Sequence, residues 1–246
     1  PRCSTSTTTP YLDRQRIRRR AARRAHDLRM IRFEQVAKRY PGGHDALAGV
    51  SLTIARGEFA ILVGHSGAGK STLIRMVPVL ERPSAGRVTV NDVDVGTLKR
   101  AAIPYFRRTL GLVLQEQSLL VDRNAFDNVM LPLAIAGHPA RDAAKRVHAA
   151  LERVGLAGRG KEMPPGLSGG EQQRLCIARA IVNKPSILIA DEPTAFLDLD
   201  YARDIAELFR SFNEVGVTVI IATHDTGVFA AYQPRRIELA GGKLVQ

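Results

Sequence analysis

Long apolar runs are the first thing this sequence lacks. None approaches the roughly 18 residues that a helix needs to cross a bilayer, so any membrane role must come through a partner. Cysteine is nearly absent too. Cys3 and Cys176 lie far apart and no metal-ligand spacing is present, a pattern that points to a reducing compartment. Cys176, between Leu175 and Ile177, reads as a small buried residue. Acidic residues are scarce in the leading segment. Residues 1–29 hold nine arginines against two aspartates, which is +7 of the net charge of +12 and leaves +5 for the rest. The basic character is therefore concentrated in that segment and not spread over a binding face.

What is present suits a soluble globular protein, with 45% hydrophobic and 24% charged residues among 246, enough for one large domain or two small ones. Residues 1–29 can form no core and are expected to be disordered. They read as a basic arm for nucleic acid or anionic lipid, as a transit peptide, or as sequence upstream of a true start at Met30.

From Ile31 to Ala55 apolar residues alternate around the turn Pro41-Gly42-Gly43, which predicts antiparallel strands. Phe59–Val63 is a short continuous apolar run of the kind buried in a parallel sheet. A helix is expected from the following loop to about Leu80, then a strand over Arg87–Asn91. Leu110–Leu114 reads as a strand, and helices are expected over Asn124–Leu131 and over Arg141–Val154. The latter carries Ala144, Val147, Leu151 and Val154 on one face. A helix follows Leu167-Ser168-Gly169-Gly170-Glu171 to about Val182. The strand Ser186–Ala190 ends in Asp191-Glu192, a helix spans Tyr201–Glu214, and the strand Val217–Ala222 ends in Thr223-His224-Asp225. The tail, turning at Gly241-Gly242, is a hairpin. Strands alternating with helices predict an α/β fold with a parallel sheet and ligands at the strand C-termini. An inserted helical subdomain is expected over about 104–170.

Gly64-His65-Ser66-Gly67-Ala68-Gly69-Lys70-Ser71-Thr72 fits G-x-x-x-x-G-K-[ST], the phosphate-binding loop, between a strand and a helix. Its glycines let backbone N–H groups close around a polyphosphate, and the helix N-terminus faces the same anion. Lys70 is expected on the β and γ phosphates and the Ser71 hydroxyl on Mg2+. Asp191, after an apolar strand, is the expected metal partner opposite Ser71. Glu192 is the expected base for an attacking water. Gln115 is expected to orient that water or meet the metal through its amide oxygen. His224 is expected at the γ-phosphate, and Tyr40 to stack on adenine. Ser168, Gly169, Gly170 and Glu171 open a helix and offer a second anion site.

Taken with the phosphate loop ahead and Asp191-Glu192 behind, Leu167-Ser-Gly-Gly-Glu-Gln-Gln-Arg174 makes residues 30–246 resemble the ABC-type ATPases. That resemblance implies a P-loop NTPase (RecA-like) core with an antiparallel β subdomain and an inserted α-helical subdomain, binding ATP and Mg2+. It further implies a head-to-tail homodimer with two ATP at the interface, Ser168 to Glu171 of one subunit meeting the nucleotide held by Lys70 of the other. The dimer would dock on a separate membrane protein through the Gln115 loop and the helical subdomain.

Within the family, Glu81-Arg-Pro-Ser-Ala-Gly86, Leu119-Leu-Val-Asp-Arg123, Asp127-Asn128 and Ile181-Val-Asn-Lys-Pro185 are similar to the bacterial cell-division branch. Those ATPases work with an FtsX-like integral membrane protein to control cell-wall hydrolases, from the cytoplasmic face of the inner membrane. The ATPase of a lipoprotein-releasing or macrolide exporter is the alternative, and a nucleic-acid-associated ABC ATPase a remote one. Two places depart from the family pattern. Ala195-Phe196 stands where a small pair precedes Leu197-Asp198, and Pro78-Val79 replaces a small residue and a glycine, so a frayed or bent last helical turn is expected there.

Overall fold

The structure, a computed structural model, describes residues 29–245; the expectations for residues 1–28 lie outside the described residues. Strands β1 (Arg29–Arg39) and β2 (Asp45–Ala55) pair antiparallel across the Pro41-Gly42-Gly43 turn. With β4 (Ala85–Val90) and β5 (Val93–Asp94) they form a four-stranded sheet in the order β2-β1-β4-β5. Strands β3 (Phe59–Val63), β6 (Leu110–Val113), β7 (Ile187–Asp191), β8 (Thr218–Ala222) and β9 (Arg235–Ala240) belong to the main sheet. Its order is β10-β9-β3-β8-β7-β6, all parallel except β10 (Lys243–Leu244), which folds back on β9.

The helices are α1 (Lys70–Met76), α2 (Ile103–Arg107), α3 (Ala125–Ala136), α4 (Ala140–Arg153), α5 (Gly169–Ile181) and α6 (Leu199–Glu214). The main sheet separates two cores, and its strands alternate between them. Phe59, Ile61, Leu188, Ala190, Val219 and Ile221 pack under α3–α6. Ala60, Leu62, Ile187, Ile189, Ile220 and Ala222 pack against α1 and the antiparallel sheet. Both faces are dry, which is why β3, β7 and β8 carry apolar runs instead of alternating with polar residues. Among the described residues no helix is long and apolar enough to cross a membrane.

Several expectations shift by a residue or a turn. α4 buries Ala143 with Val147, Ala150 and Leu151, so Ala143, not Ala144, leads the inward stripe. α3 runs through Pro132 to Ala136, past the expected end at Leu131. α6 begins at Leu199, capped by the Asp198 carboxylate, which accepts from the Tyr201 N–H at 3.0 Å.

α1 stops at Met76, short of the expected Leu80. Pro78 cannot continue the ladder, and Val79 follows at φ 58°, the left-handed region where a β-branched residue is disfavoured by about 1–2 kcal/mol. The turn is held from outside. Arg107 Nε donates to the Pro78 carbonyl at 2.7 Å and its Nη2 to the Val79 carbonyl at 2.9 Å. Arg107→Ala should therefore cost roughly 1.5–3 kcal/mol, read as a lower urea midpoint at an unchanged slope, because two half-buried carbonyls lose a charged donor.

Candidate functional site

The parallel register brings three segments to one rim. In the ladder Leu62 pairs with Ala222 and Ala222 with Asp191, and two further bonds continue it. Thr223 N donates to the Leu62 carbonyl at 3.0 Å, and Glu192 N donates to the Ala222 carbonyl at 2.8 Å. The phosphate loop, Asp191-Glu192 and His224 thereby share the C-terminal edge.

The phosphate loop is tied down where it leaves β3. A Cβ on Gly64 would lie 2.2 Å from the Leu239 carbonyl oxygen, and one on Gly69, itself at φ 100°, 2.5 Å from that of Ala46. Only glycine admits the loop this close to β9 and β2. Gly242 N donates to the Ala68 carbonyl at 3.3 Å, and Ala48 N to the Gly242 carbonyl at 2.9 Å, so the C-terminal hairpin bridges the loop to β2.

Lys70 is buried and its Nζ donates to the carbonyls of Gly64 (2.7 Å) and His65 (3.3 Å), with Glu192 Oε1 at 3.9 Å. The His65 ring bonds back to the Ser66 carbonyl through Nδ1 at 2.7 Å. Ser71 Oγ donates to Asp191 Oδ1 at 2.8 Å. Asp191 is only 1% exposed, and its Oδ2 has no hydrogen bond. The cation nearest that oxygen is Arg75 Nε at 3.8 Å. Desolvation by burial raises the Asp191 pKa above the ordinary aspartate value, against the opposing pull of the Ser71 hydrogen bond and Arg75.

Glu192 leaves the strand at φ 49°, a kink that turns its side chain back toward the loop. Its Oε2 accepts from the His224 backbone N–H at 3.3 Å and meets His224 Nδ1 at 2.9 Å. Tyr40 OH lies 3.4 Å from Thr72 Oγ1, and the Tyr40 ring carries Lys38 Nζ at 4.9 Å from its centroid. Together these groups border a cleft of about 790 Å³, lined by Tyr40, Ser66–Thr72, Gln115, Glu192 and His224, within the range of small-molecule sites. Gln115 is exposed on its wall, and its side chain forms no hydrogen bond among the described residues.

Ser168, Gly169, Gly170 and Glu171 are not part of that lining. They open α5 as a capping box: the Ser168 hydroxyl accepts from Glu171 N at 3.3 Å, and the Glu171 carboxylate accepts from Ser168 N at 2.8 Å. That backbone bond is the main reason the Glu171 pKa is lowered. Gly170 is packed, since a Cβ there would meet the Tyr201 ring at 2.8 Å, whereas Gly169 faces open space.

Sequence reasoning passed over two residues, His44 and Arg75, and over the role of a third, Asn128. His44 lines the cleft beside Tyr40. Arg75 meets Asp191, and its place four residues after Ser71 on α1 was the available signal. Asn128 is fully buried and ties Leu120, Arg123 and Asn124 through four bonds of 2.9–3.0 Å, fixing the loop after Gln115. Phe196, the departure noted above, lies on the cleft wall at φ 64° and is 98% exposed.

Comparison with known proteins follows the same outline. Residues 47–195 match the ABC transporter family. The chain is 50% identical over 215 residues to the cell division ATP-binding protein FtsE of Escherichia coli (strain K12), covering 87% of this chain and 97% of that one. Identity to FtsE of Bacillus subtilis (strain 168) is 42% over 217 residues, or 88% and 95% of the two chains. A methionine import ATP-binding protein MetN of Rhizobium meliloti (strain 1021) is 44% identical, but the match spans only 62% of its length. Among solved structures, the dimeric post-hydrolysis ATP-binding cassette MJ0796 bound to ADP and phosphate superposes at a TM-score of 0.82. It is 34% identical over 88% of this chain and 97% of that one.

The raised Asp191 pKa makes a prediction about stability. A carboxyl whose folded pKa lies above its unfolded value lowers stability once ionised, and stability is regained as pH falls through the folded value. Asp191→Asn, which can keep the bond from Ser71, should raise Tm near neutral pH without divalent cation. The advantage should shrink on acidification, as wild-type Asp191 takes up its proton. Equal melting of both proteins at neutral pH would contradict this.

Proposed function

The chain belongs to the ABC transporter family of ATPases, and on that footing we propose that it is the nucleotide-hydrolysing subunit of a cell-division complex in the bacterial inner membrane. Hydrolysis of ATP is its reaction. One observation carries the residue assignment: the Glu192 carboxylate lies between Lys70 Nζ (3.9 Å) and His224 Nδ1 (2.9 Å), at the mouth of the phosphate loop. A γ-phosphate cradled by Lys70 would then lie beside a carboxylate able to take a proton from an attacking water. The backbone N–H groups of residues 64–72 hold the phosphates, Tyr40 stacks on the adenine, and His224 contacts the γ-phosphate.

The donor set fits Mg2+. Asp191 Oδ2 is buried without a hydrogen bond and Ser71 Oγ is 2.8 Å from Oδ1, which leaves a hydroxyl and a carboxylate for a hard cation, with the Gln115 amide facing the same cleft. When bound, the ion neutralises phosphate charge; the protein's part is to orient the phosphates and the water. The second anion site, Ser168 to Glu171, serves the nucleotide of a second copy, a reading supported by its absence from the chain's own cleft and by the dimeric cassette MJ0796.

Coverage favours the cell-division reading over import. The match spans 97% of FtsE from E. coli but 62% of MetN from R. meliloti. The partner proposed is an FtsX-like integral membrane protein, received by the Gln115 loop and by α3 and α4, and the subunit is held by it at the cytoplasmic face. The helical insertion begins only after β6, which belongs to the main sheet, and not at the expected residue 104. Co-purification with that protein from bacterial membranes tests the assignment, and recovery with an exporter permease instead would overturn it. Glu192→Gln should slow ATP turnover by roughly 10²–10⁴ while nucleotide binding persists. Lys70→Ala should lose the binding itself. Wild-type turnover in the Glu192 variant would remove that residue from the role of base.

A further inference from the structure

A second concavity, of about 580 Å³, opens at the opposite end of the main sheet, where β7 and β8 begin. Its floor is apolar, made by Ala150 of α4, Phe212 of α6 and Val217. Its rim is basic. Lys145, Arg146 and Arg153 project from one face of α4, spaced one and eight residues from the first, and Lys184 faces them from the turn after α5. No carboxylate lines the hollow, and none of these four cations forms an ion pair among the described residues. The nearby acid at the end of α6, Glu214, is already bound to Arg210 at 3.1 Å. Arg153 lies over the Phe212 ring, 5.7 Å from its centroid, so its charge is held at the edge of the apolar floor. Lys184 takes φ 53°, a left-handed position usually given to glycine or asparagine.

Four cations with no ion pair among the described residues, set around an apolar floor, define what fits. A nucleic-acid backbone would use the charges and leave the apolar floor uncovered. A flat membrane surface cannot enter a hollow walled by α4 and α6. A volume near 580 Å³ is that of a small-molecule site, and the complement to this lining is an apolar chain ending in one anionic group. We propose that this hollow binds a monomeric single-chain anionic amphiphile, its tail on Ala150, Phe212 and Val217 and its carboxylate or phosphate between Arg146 and Lys184. The site is remote from the phosphate loop and independent of it. α5 nevertheless joins the two functional ends, carrying Ser168 at its start and leading at Ile181 into the hollow.

The test is calorimetric titration of the full chain with sodium decanoate below its micelle-forming concentration, with zwitterionic decylphosphocholine as the comparison. Saturable one-to-one binding of decanoate is expected, with much weaker binding of the zwitterion. The double variant Arg146→Glu, Lys184→Glu should weaken decanoate by roughly tenfold or more, since it removes two charged donors. Ala149→Trp, which fills the hollow and leaves the rim charges in place, should abolish binding. Nucleotide binding in both variants, compared with wild type, reports that they are folded. Absence of saturable binding, equal affinity for the zwitterion, or affinity unchanged in both variants would each overturn the proposal. Sedimentation with anionic phosphatidylglycerol vesicles, lost in the double variant while decanoate fails to bind wild type, would overturn it in favour of a membrane surface.

Discussion

The ladder that sets Leu62 beside Ala222 and Ala222 beside Asp191 is the constraint on which the rest depends. Side chains alternate strictly along a strand, so a slip of one residue in β7 would turn Asp191 away from Ser71 and bring its neighbours to the wrong core. The register is strongly specified because both faces of the sheet are buried by different sets of side chains. Polar chemistry is excluded from the body of the inner strands β3, β7 and β8 and is possible there only where they end. The cleft therefore needs no strand of its own. It is what remains when an apolar sheet runs out of ladder.

Much of this was legible in the sequence, for identifiable reasons. Continuous apolar runs of four or five residues mark strands buried on both faces, and glycines at fixed spacing mark the phosphate loop, because both signals are local. The antiparallel pairing of β1 with β2 was read from their alternation, but the two-residue β5 that completes the four-stranded sheet carries too little pattern to be seen. What stayed hidden is held by distant partners. The turn at Pro78-Val79 was expected to fray or bend, yet the sequence gives no sign that Arg107 closes it, nearly thirty residues on. Asn128 reads as an ordinary helical residue until its four bonds to the preceding loop are seen. In the site, the meeting of Ser71 with Asp191 followed from strand–loop–helix logic, whereas Arg75 needed the helical spacing to be combined with a tertiary contact.

The cleft also concentrates costs. Glu192 and Phe196 both occupy the left-handed region, and Asp191 is ionised only against desolvation. Such departures persist where surrounding structure over-determines them. Here the overdetermination comes from the ladder beneath and from the hairpin that ties the loop to β2. A protein selected for stability alone would relieve all three, and each relief would alter a residue on the cleft or beneath it.

That hairpin has a further consequence in time. Ala60 pairs with Arg235, so the strand beside the phosphate loop waits for a partner made 175 residues later. At a synthesis rate of about 5–20 residues per second, the wait is on the order of 10–35 s. For most of it both edges of β3 offer open backbone groups, since Ala60 also pairs with Ile220 of β8, 160 residues on, and the carbonyl that will crowd Gly64 has yet to be made. The loop that is written early in the chain is thus finished only when β9 has been made, which delays a competent nucleotide site until every strand of the main sheet but β10 has been synthesised.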